Sequence, residues 1–122
     1  MGRPCWKRRM VTTKYIPQKG DFVVLTFNPK SGHEQKGRRP ALVVSNNLFN
    51  KHTGFTLVCP ITNTNRKYPF HVAISKSTKL SGFVMVDQIK SIDYITRKVK
   101  FIDKAPSNIL NEVLSILDAI IY

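Results

Sequence analysis

The chain has 122 residues, of which 42% are hydrophobic, and it carries 20 lysines and arginines against 7 aspartates and glutamates. This length predicts one domain with a single core, and no apolar run is long enough to span a membrane. The formal net charge of +13 exceeds what solubility requires and predicts a polyanionic partner, which is a nucleic acid, an acidic protein or both.

The cysteine content and the first residues bear on the cellular compartment. Cys5 and Cys59 are the only cysteines, and their spacing makes neither a disulfide framework nor a zinc site. The N-terminal sequence M-G-R-P-C-W-K-R-R is basic, but no apolar stretch follows it, so no secretory signal is predicted. We therefore predict a reduced, cytoplasmic protein with a basic flexible arm over residues 1–14.

The first half of the chain predicts three strands. Residues 21–27 (D-F-V-V-L-T-F) are rich in β-branched and aromatic side chains and stop at Asn28-Pro29, because proline cannot donate to a ladder. Residues 41–45 (A-L-V-V-S) predict a short buried strand. Residues 55–61 (F-T-L-V-C-P-I) predict a third strand, in which Pro60 indicates an edge or a bulge. The polar residues 46–54 between them leave room for one helical turn.

The second half predicts three more strands and a terminal helix. The strands are residues 70–74, 82–88 and 98–102, and the last alternates so strictly (K-V-K-F-I) that one face is predicted to be wet. Ser107 is a candidate N-cap for the helix. Two adjacent apolar stripes follow at helical spacing: Ile109, Val113, Ile116 and Ile120, then Leu110, Leu114, Leu117 and Ile121. We predict a mostly β, α+β fold, a small antiparallel barrel with helices packed outside, and assign part of this helix to a dimer interface.

The loop S-G-H-E-Q-K-G-R-R-P at residues 31–40 concentrates charged and hydrogen-bonding side chains in one turn. Pro40 restricts the backbone where the chain re-enters the sheet, so Arg39 is predicted to lie on a stiffer segment than the rest of the loop. Cleavage of RNA by its own 2′-hydroxyl needs a proton acceptor, a proton donor and a cation beside the phosphate, and a guanidinium fork matches phosphate geometry. Composition alone is equally typical of a solvated turn with weak surface ion pairs.

No cluster in the sequence has the spacing of metal ligands. We therefore predict chemistry that needs neither a metal nor a cofactor.

A wider pattern runs through the chain: G-D-x-V, F-N-P, G-H-E-Q-x-G-x-R-P-A-L-V-V-S, C-P-I-T, Y-P-F and V-D-Q-I-K-S-I, in that order. It closely resembles the MazF/PemK family of toxin endoribonucleases, from Tyr15 to the terminal helix. The joint presence of E-Q-x-G-x-R-P, P-x-T and D-Q-I-K-S is specific, although each motif alone is weak. The resemblance implies one toxin domain over residues 15–122 with an SH3-like barrel. It also implies a homodimer that cuts single-stranded RNA without a metal, which inhibits translation and growth, and an acidic, partly disordered antitoxin.

The resemblance assigns roles to three residues. Arg39 is the main catalytic residue, acting in acid–base chemistry and phosphate stabilisation. Thr62 of P-x-T holds the scissile phosphate, and Glu34 supports the site by orienting Arg39 or the loop. Guanidinium groups hold their proton too tightly to carry protons well, so the chemistry of the residues alone gives Arg39 electrostatic stabilisation and leaves the general base open.

Further residues are predicted to contact RNA. Relatives often carry an acid at position 28 and sometimes a histidine at position 38, so the changes to Asn and Arg here make the loop more positive and should strengthen phosphate binding. Tyr68 is predicted to stack on a base, or alternatively to pack under Pro69. The D-Q-I-K match suggests base or phosphate contacts, although an ordinary Asp–Lys surface pair is the alternative. The full predicted set is Asn28, Gln35, Arg38, Asn63, Tyr68, Asp87, Gln88 and Lys90.

The three histidines are candidates for acid–base chemistry. We retain His33 because it lies in the loop, assign His52 to a polar turn, and expect His71 to face solvent on a strand.

Two other functions compete with the endoribonuclease. A gyrase poison of the CcdB type shares the broad fold but lacks the E-Q-x-G-x-R-P loop. A non-catalytic nucleic-acid-binding barrel explains the charge equally well, and only the joint presence of Arg39 and Thr62 counts against it.

Overall fold

The computed structural model of the chain describes residues 15–26, 38–75 and 78–122, so the predicted arm over residues 1–14 lies outside the described residues. Within these ranges the chain forms seven strands, two α-helices and one 3₁₀ turn. They are β1 (Asp21–Thr26), β2 (Arg38–Val43), α1 (Asn47–Thr53), β3 (Phe55–Thr62), β4 (His71–Ala73), β5 (Phe83–Met85), the 3₁₀ turn (Val86–Gln88), β6 (Lys90–Asp93), β7 (Lys100–Lys104) and α2 (Ser107–Ile121).

The strands form one antiparallel sheet in the order β4-β5-β3-β2-β1-β7, with β6 also paired to β3. Among the described strands, β4 and β7 stand at the two ends of this order, so the sheet is not closed. The predicted fold class, a mostly antiparallel β structure with a C-terminal helix, is confirmed. Pro60 was predicted to mark an edge strand or a bulge, and the prediction of an edge strand is wrong. Strand β3 is central, and its neighbour on one side changes from β6 to β5 between Val58 and Ile61, where a missing N–H is tolerated.

The sheet buries apolar side chains on both faces because successive residues of a strand point in opposite directions. On β1, Phe22 belongs to one buried cluster and Val23 to another. Helix α2 packs on the first cluster through Ile109, Val113 and Leu117. The two-sided core holds β2 and β3 firmly in the middle of the sheet, and the ends of these two strands carry the candidate site.

Helix α2 differs from its prediction at both ends. Pro106 is the N-cap and makes no side-chain cap hydrogen bond, so the prediction that Ser107 caps the helix is wrong; Ser107 is already helical. At the other end Ile120 is 46% exposed and Ile121 is 68% exposed, so this part of the apolar face is not covered by the described chain. Within the described residues no helix is both long enough and apolar enough to cross a bilayer.

A buried polar cluster joins α1 to the sheet and consists of Ser45, Asn50, Thr56 and Tyr94. The Asn50 side chain is fully buried, accepts a hydrogen bond from the Ser45 hydroxyl and donates to the carbonyl oxygen of Pro17 at 2.7 Å. The Ser45 hydroxyl also bonds that of Thr56, and Tyr94 donates to the backbone oxygen of Asn50. The sequence predicted one helical turn in this region. The structure has helix α1 there, and these hydrogen bonds hold it against the sheet.

Candidate functional site

Two consecutive arginines begin β2, and the structure uses them differently. They lie in a strand, paired with Thr26 and Leu25 of β1, rather than in the loop to which the sequence assigned them. The Arg38 guanidinium donates to the Thr26 hydroxyl at 3.1 Å and to the backbone oxygen of Lys98 at 3.0 Å. The Arg39 side chain is exposed and makes no hydrogen bond or ion pair with any residue that the structure describes. Arg38 is thus held by the protein, whereas Arg39 is available to a ligand.

The pairing of β2 with β3 brings Arg39 and Thr62 to the same end of the two strands. Ala41 pairs with Pro60, Leu42 with Cys59 and Val43 with Val58. Continuing this antiparallel register for two residues puts Arg39 across from Thr62. Directly opposed residues lie on the same face with Cβ atoms about 5 Å apart. In keeping with this register, the two residues assigned to phosphate by the resemblance line the same pockets.

Gly82 fixes the backbone behind Thr62. Its φ of 121° suits glycine, and a Cβ at this position would lie 2.5 Å from the backbone oxygen of Thr62. Any other residue would push the end of β3 away from the segment that leads into β5. The Thr62 hydroxyl in turn accepts a hydrogen bond from the backbone N–H of Thr64 at 3.2 Å. The close approach of Gly82 therefore fixes the backbone of Thr62, and the Thr64 N–H orients its hydroxyl.

Two pockets adjoin at this pair of residues. The first has a volume of about 450 Å³ and is lined by Arg38, Arg39, Pro40, Ile61, Thr62 and Asn63. The second has a volume of about 430 Å³ and is lined by Arg39, Thr62, Arg66, Tyr68, His71, Met85 and Gln88. Because Arg39 and Thr62 line both, a phosphate held between them would have one pocket on each side.

The second pocket contains aromatic and polar groups suited to a base. The Tyr68 ring is 43% exposed and stands edge-on to Phe70, with ring centroids 5.4 Å apart. Gln88 ends the 3₁₀ turn, which replaces the end of the strand predicted over residues 82–88, and it lines the pocket. Tyr68 therefore offers a ring face, and Gln88 offers an amide with both donor and acceptor atoms.

His71 was predicted to face solvent, and this prediction is wrong. Its side chain is only 7% exposed, it lines the second pocket, and its ring stands edge-on to Tyr68 at a centroid distance of 5.1 Å. The prediction considered the strand without its neighbours. Pairing with Met85 of β5 and cover by Tyr68 enclose the ring. The same pocket brings in Arg66 and Met85, which were not among the predicted site residues.

The D-Q-I-K motif does not act as one unit. Gln88 lines the second pocket, whereas Asp87 points its carboxylate toward His71, with 3.8 Å between Oδ1 and Nε2. Lys90 begins β6 opposite Val58 and is not among the residues that line the two pockets. Asn28, His33, Glu34 and Gln35 lie outside the described residues.

Near the site, burial raises the pKa of the Cys59 thiol to about 12, and the negative charge of Asp87 adds to the effect. Its side chain is fully buried, so we assign it to the core rather than to the site. Within residues 15–26, 38–75 and 78–122, no group of three or more His, Cys, Asp or Glu side chains is placed to hold a metal ion.

Comparison with known proteins places the chain in a family. A model of the PemK-like, MazF-like toxins of type II toxin–antitoxin systems matches residues 18–121. Endoribonuclease toxin MazF of Escherichia coli (strain K12) is 38% identical over 87 residues, which cover 71% of this chain and 78% of MazF. Endoribonuclease PemK of Escherichia coli is 35% identical over 118 residues, covering 93% of this chain and 89% of PemK.

A solved structure agrees with these relatives. The crystal structure of MazE-MazF (Form-II) from Deinococcus radiodurans matches with a TM-score of 0.78 and 34% identity, covering 88% of this chain and 97% of that chain. The barrel-like fold implied by the resemblance is therefore confirmed. The chain belongs to the family of PemK-like, MazF-like toxins of type II toxin–antitoxin systems.

Proposed function

We propose that this chain is the toxin of a toxin–antitoxin pair and acts as a metal-independent endoribonuclease on single-stranded RNA. The proposed reaction is attack of a 2′-hydroxyl on the adjacent phosphorus with departure of the 5′-oxygen, so that messenger RNA is cut, and translation and growth stop. The observation that carries the proposal is that Arg39 and Thr62 together line two adjoining pockets. The names of the relatives, which include MazF and PemK endoribonucleases, support it.

Arg39 and Thr62 hold the scissile phosphate in this proposal. A guanidinium fork binds two phosphate oxygens at once and stays charged while negative charge builds on the phosphorane. The Thr62 hydroxyl donates to a third oxygen or to a bridging oxygen. Placement on paired strands keeps both groups in position before RNA binds, which is the condition for electrostatic catalysis. Glu34 is assigned a supporting role from its motif.

The two pockets receive the nucleotides that flank the phosphate. Tyr68 stacks on a base, while Asn63 and Gln88 supply amides that discriminate between base edges. Arg38 stiffens the start of β2 through Thr26 and Lys98 and adds positive charge near the backbone of the RNA. Asn28, Gln35, Asp87 and Lys90 complete the proposed set of RNA contacts.

The proposed partners follow from charge and exposed surface. An acidic antitoxin suits a chain with a formal net charge of +13 and would compete with RNA for the same basic face. A homodimer would cover apolar side chains that the single chain leaves exposed, such as Ile120 and Ile121 of α2. Messenger RNA as substrate places the proposed site of action in the cytoplasm.

Cleavage of a long unstructured RNA by the purified toxin in excess EDTA tests the proposal, with fragment ends mapped by primer extension. We expect discrete cuts at one short recurring sequence. Arg39→Ala should lower the cleavage rate by about 10²- to 10³-fold while weakening RNA binding by less than about tenfold, because many other cations remain. Lys51→Ala is the matched control, because it removes one positive charge from the exposed end of α1, away from both pockets.

Different failures separate the alternatives. RNA that binds and stays intact would favour a non-catalytic barrel, and poisoning of gyrase in a supercoiling assay would favour a toxin of the CcdB type. Cleavage by Arg39→Ala at the wild-type rate would refute the site assignment while leaving the endoribonuclease itself in place.

A further inference from the structure

His71 occupies an unusual position for a histidine in a small barrel. Its side chain is 93% enclosed, yet it lines the same pocket as Arg39 and Thr62. Nδ1 is buried and has no hydrogen-bond partner among the residues that the structure describes. A buried nitrogen without a partner costs free energy, and such groups in folded proteins call for an explanation, often a role in function.

The two ring nitrogens differ in what surrounds them. Nδ1 is closed off from solvent, so Nε2 is the nitrogen left for a substrate in the pocket. Nε2 lies 3.8 Å from Oδ1 of Asp87, which is too far for a hydrogen bond but close enough for a strong electrostatic interaction. Proton uptake at Nε2 requires the neutral tautomer that carries its hydrogen on Nδ1, and Asp87 stands beside Nε2, where the proton would arrive.

The chemistry of the second pocket points to the same residue. Its other lining side chains are two arginines, a threonine, a tyrosine, a methionine and a glutamine. None of these residue types ordinarily takes up a proton near neutral pH, whereas an imidazole does so readily. Among the described residues that line this pocket, His71 is therefore the one suited to accept the proton of a hydroxyl.

We propose that His71 is the general base of the cleavage reaction, with Asp87 stabilising its protonated form; this rests on the endoribonuclease function proposed above. Nε2 of the neutral ring takes the proton of the 2′-hydroxyl while the 2′-oxygen forms its bond to phosphorus. The bond from phosphorus to the 5′-oxygen breaks, and that oxygen takes a proton from water. The products are a 2′,3′-cyclic phosphate and a free 5′-hydroxyl, and the imidazolium later returns its proton to solvent.

The pH dependence of cleavage follows from the proposed role as a base. Charged groups lie around the ring: Asp87 is on the 3₁₀ turn, and Arg39 of β2 and Arg66, in the loop before β4, line the same pocket. Tyr68, the ring neighbour, is a further titratable group. A general base must be unprotonated to act, so the cleavage rate should rise with pH and then level off.

His71→Gln and His71→Phe test the proposal in single-turnover cleavage of a short RNA that contains one mapped cut site. The first variant keeps a polar group, and the second keeps a ring against Tyr68. We expect both to cleave about 10²- to 10⁴-fold more slowly and to lose the rise of the cleavage rate with pH. Their affinity for the same RNA with a 2′-O-methyl group at the cut site should stay within a few-fold of wild type. Asp87→Asn should slow cleavage less than either His71 variant.

Matched histidine variants separate His71 from its competitors. His52→Gln alters an exposed histidine of α1 and His33→Gln alters the loop histidine; both should keep the rise with pH. Loss of that rise in His33→Gln instead would overturn the assignment. If the cleavage rate of the wild-type protein instead rose with pH near 4, the base would be a carboxylate. That measurement needs only the wild-type protein, so the proposal stays testable even if a His71 variant fails to fold.

A modified substrate distinguishes a base from an acid. In this RNA, sulfur replaces the 5′-bridging oxygen, and the sulfur departs without taking up a proton. The substrate therefore restores the cleavage rate of a variant that lacks the general acid, but not of one that lacks the general base. We expect His71→Gln to remain slow on this substrate, and recovery to the wild-type rate would overturn the role as base. An inactive wild-type protein would refute the proposed function, whereas an active wild-type with an equally active His71→Gln would refute only this inference.

Discussion

The two polar regions of this sheet contrast in how their side chains are satisfied. In the buried polar cluster, the hydroxyl of Ser45 and the amide of Asn50 meet protein partners, and the cluster ties the residues before β1 to α1. In the second pocket, Arg39 has no partner among the described residues, and Nδ1 of His71 is buried without one. Both regions lie next to β3, so they share one scaffold.

The difference indicates what each region is for. A fully bonded buried network fixes one arrangement of the chain and contributes to stability. Polar groups left open on rigid strands lower stability somewhat but are ready to bind a ligand without rearrangement. Substitutions in the first region should therefore act on folding, and substitutions in the second should act on RNA cleavage.

The largest effect on folding is expected for Asn50→Leu. The leucine has a similar volume but leaves the Ser45 hydroxyl and the Pro17 carbonyl without their amide partner in a fully buried place. We expect the free energy of unfolding in urea to fall by about 3 kcal/mol. The cleavage rate per folded molecule should stay at the wild-type value. A loss below about 1 kcal/mol would mean that the cluster contributes little to stability.

Thr62→Val should show the opposite pattern. The change keeps the shape of the side chain and removes the hydroxyl that lines both pockets. Because a hydrogen bond to a charged group contributes about 1.5–3 kcal/mol, we expect cleavage to slow by about 10- to 100-fold. The Thr64 N–H is exposed and can bond to water instead, so stability should change by less than about 0.5 kcal/mol.

Thr62→Ser is the matched control for this prediction, because it keeps the hydroxyl and removes only a methyl group. It should cleave within a few-fold of wild type. If the serine and valine variants were equally slow, the methyl group rather than the hydroxyl would be the important feature of Thr62.

The sequence predicted those parts of the site that depend on local motifs. Arg39 and Thr62 were identified within E-Q-x-G-x-R-P and P-x-T, and the terminal helix followed from its periodicity. Their meeting in the same pockets could not be predicted in the same way, because it depends on the pairing of β2 with β3. Strand β2 also begins earlier than the apolar run indicates, since Arg38 and Arg39 pair with β1 despite their charge.

The sequence failed where burial is decided by distant neighbours. His71 was expected to face solvent, but pairing with Met85 and contact with the Tyr68 ring enclose it. Asn50 lies in a polar stretch that predicted only a turn, and it is fully buried because its amide meets the carbonyl oxygen of Pro17. A prediction from polarity alone places such residues at the surface. They are buried here because of tertiary contacts that the local sequence does not reveal.

A further effect, which appears only at high pH, concerns Cys59, which is fully buried in the core. Burial and then the negative charge of Asp87 raise the pKa of its thiol to about 12. An unfolded chain loses the same proton near pH 8.5. The contribution of the thiol to stability is thus fully present below that pH and is lost as the pH rises toward 12, by at most about 1.4 kcal/mol per pH unit.

Urea unfolding of wild type and Cys59→Ala at several pH values between 7 and 10.5, a range of our choosing, would measure this loss. The variant should be less stable by a margin that is constant below about pH 8.5 and then shrinks. Asp87→Asn should weaken the decline because it removes one of the two causes of the raised pKa. A margin independent of pH would mean that the thiol ionises as easily in the folded as in the unfolded chain. The core around Cys59 would then be open to water.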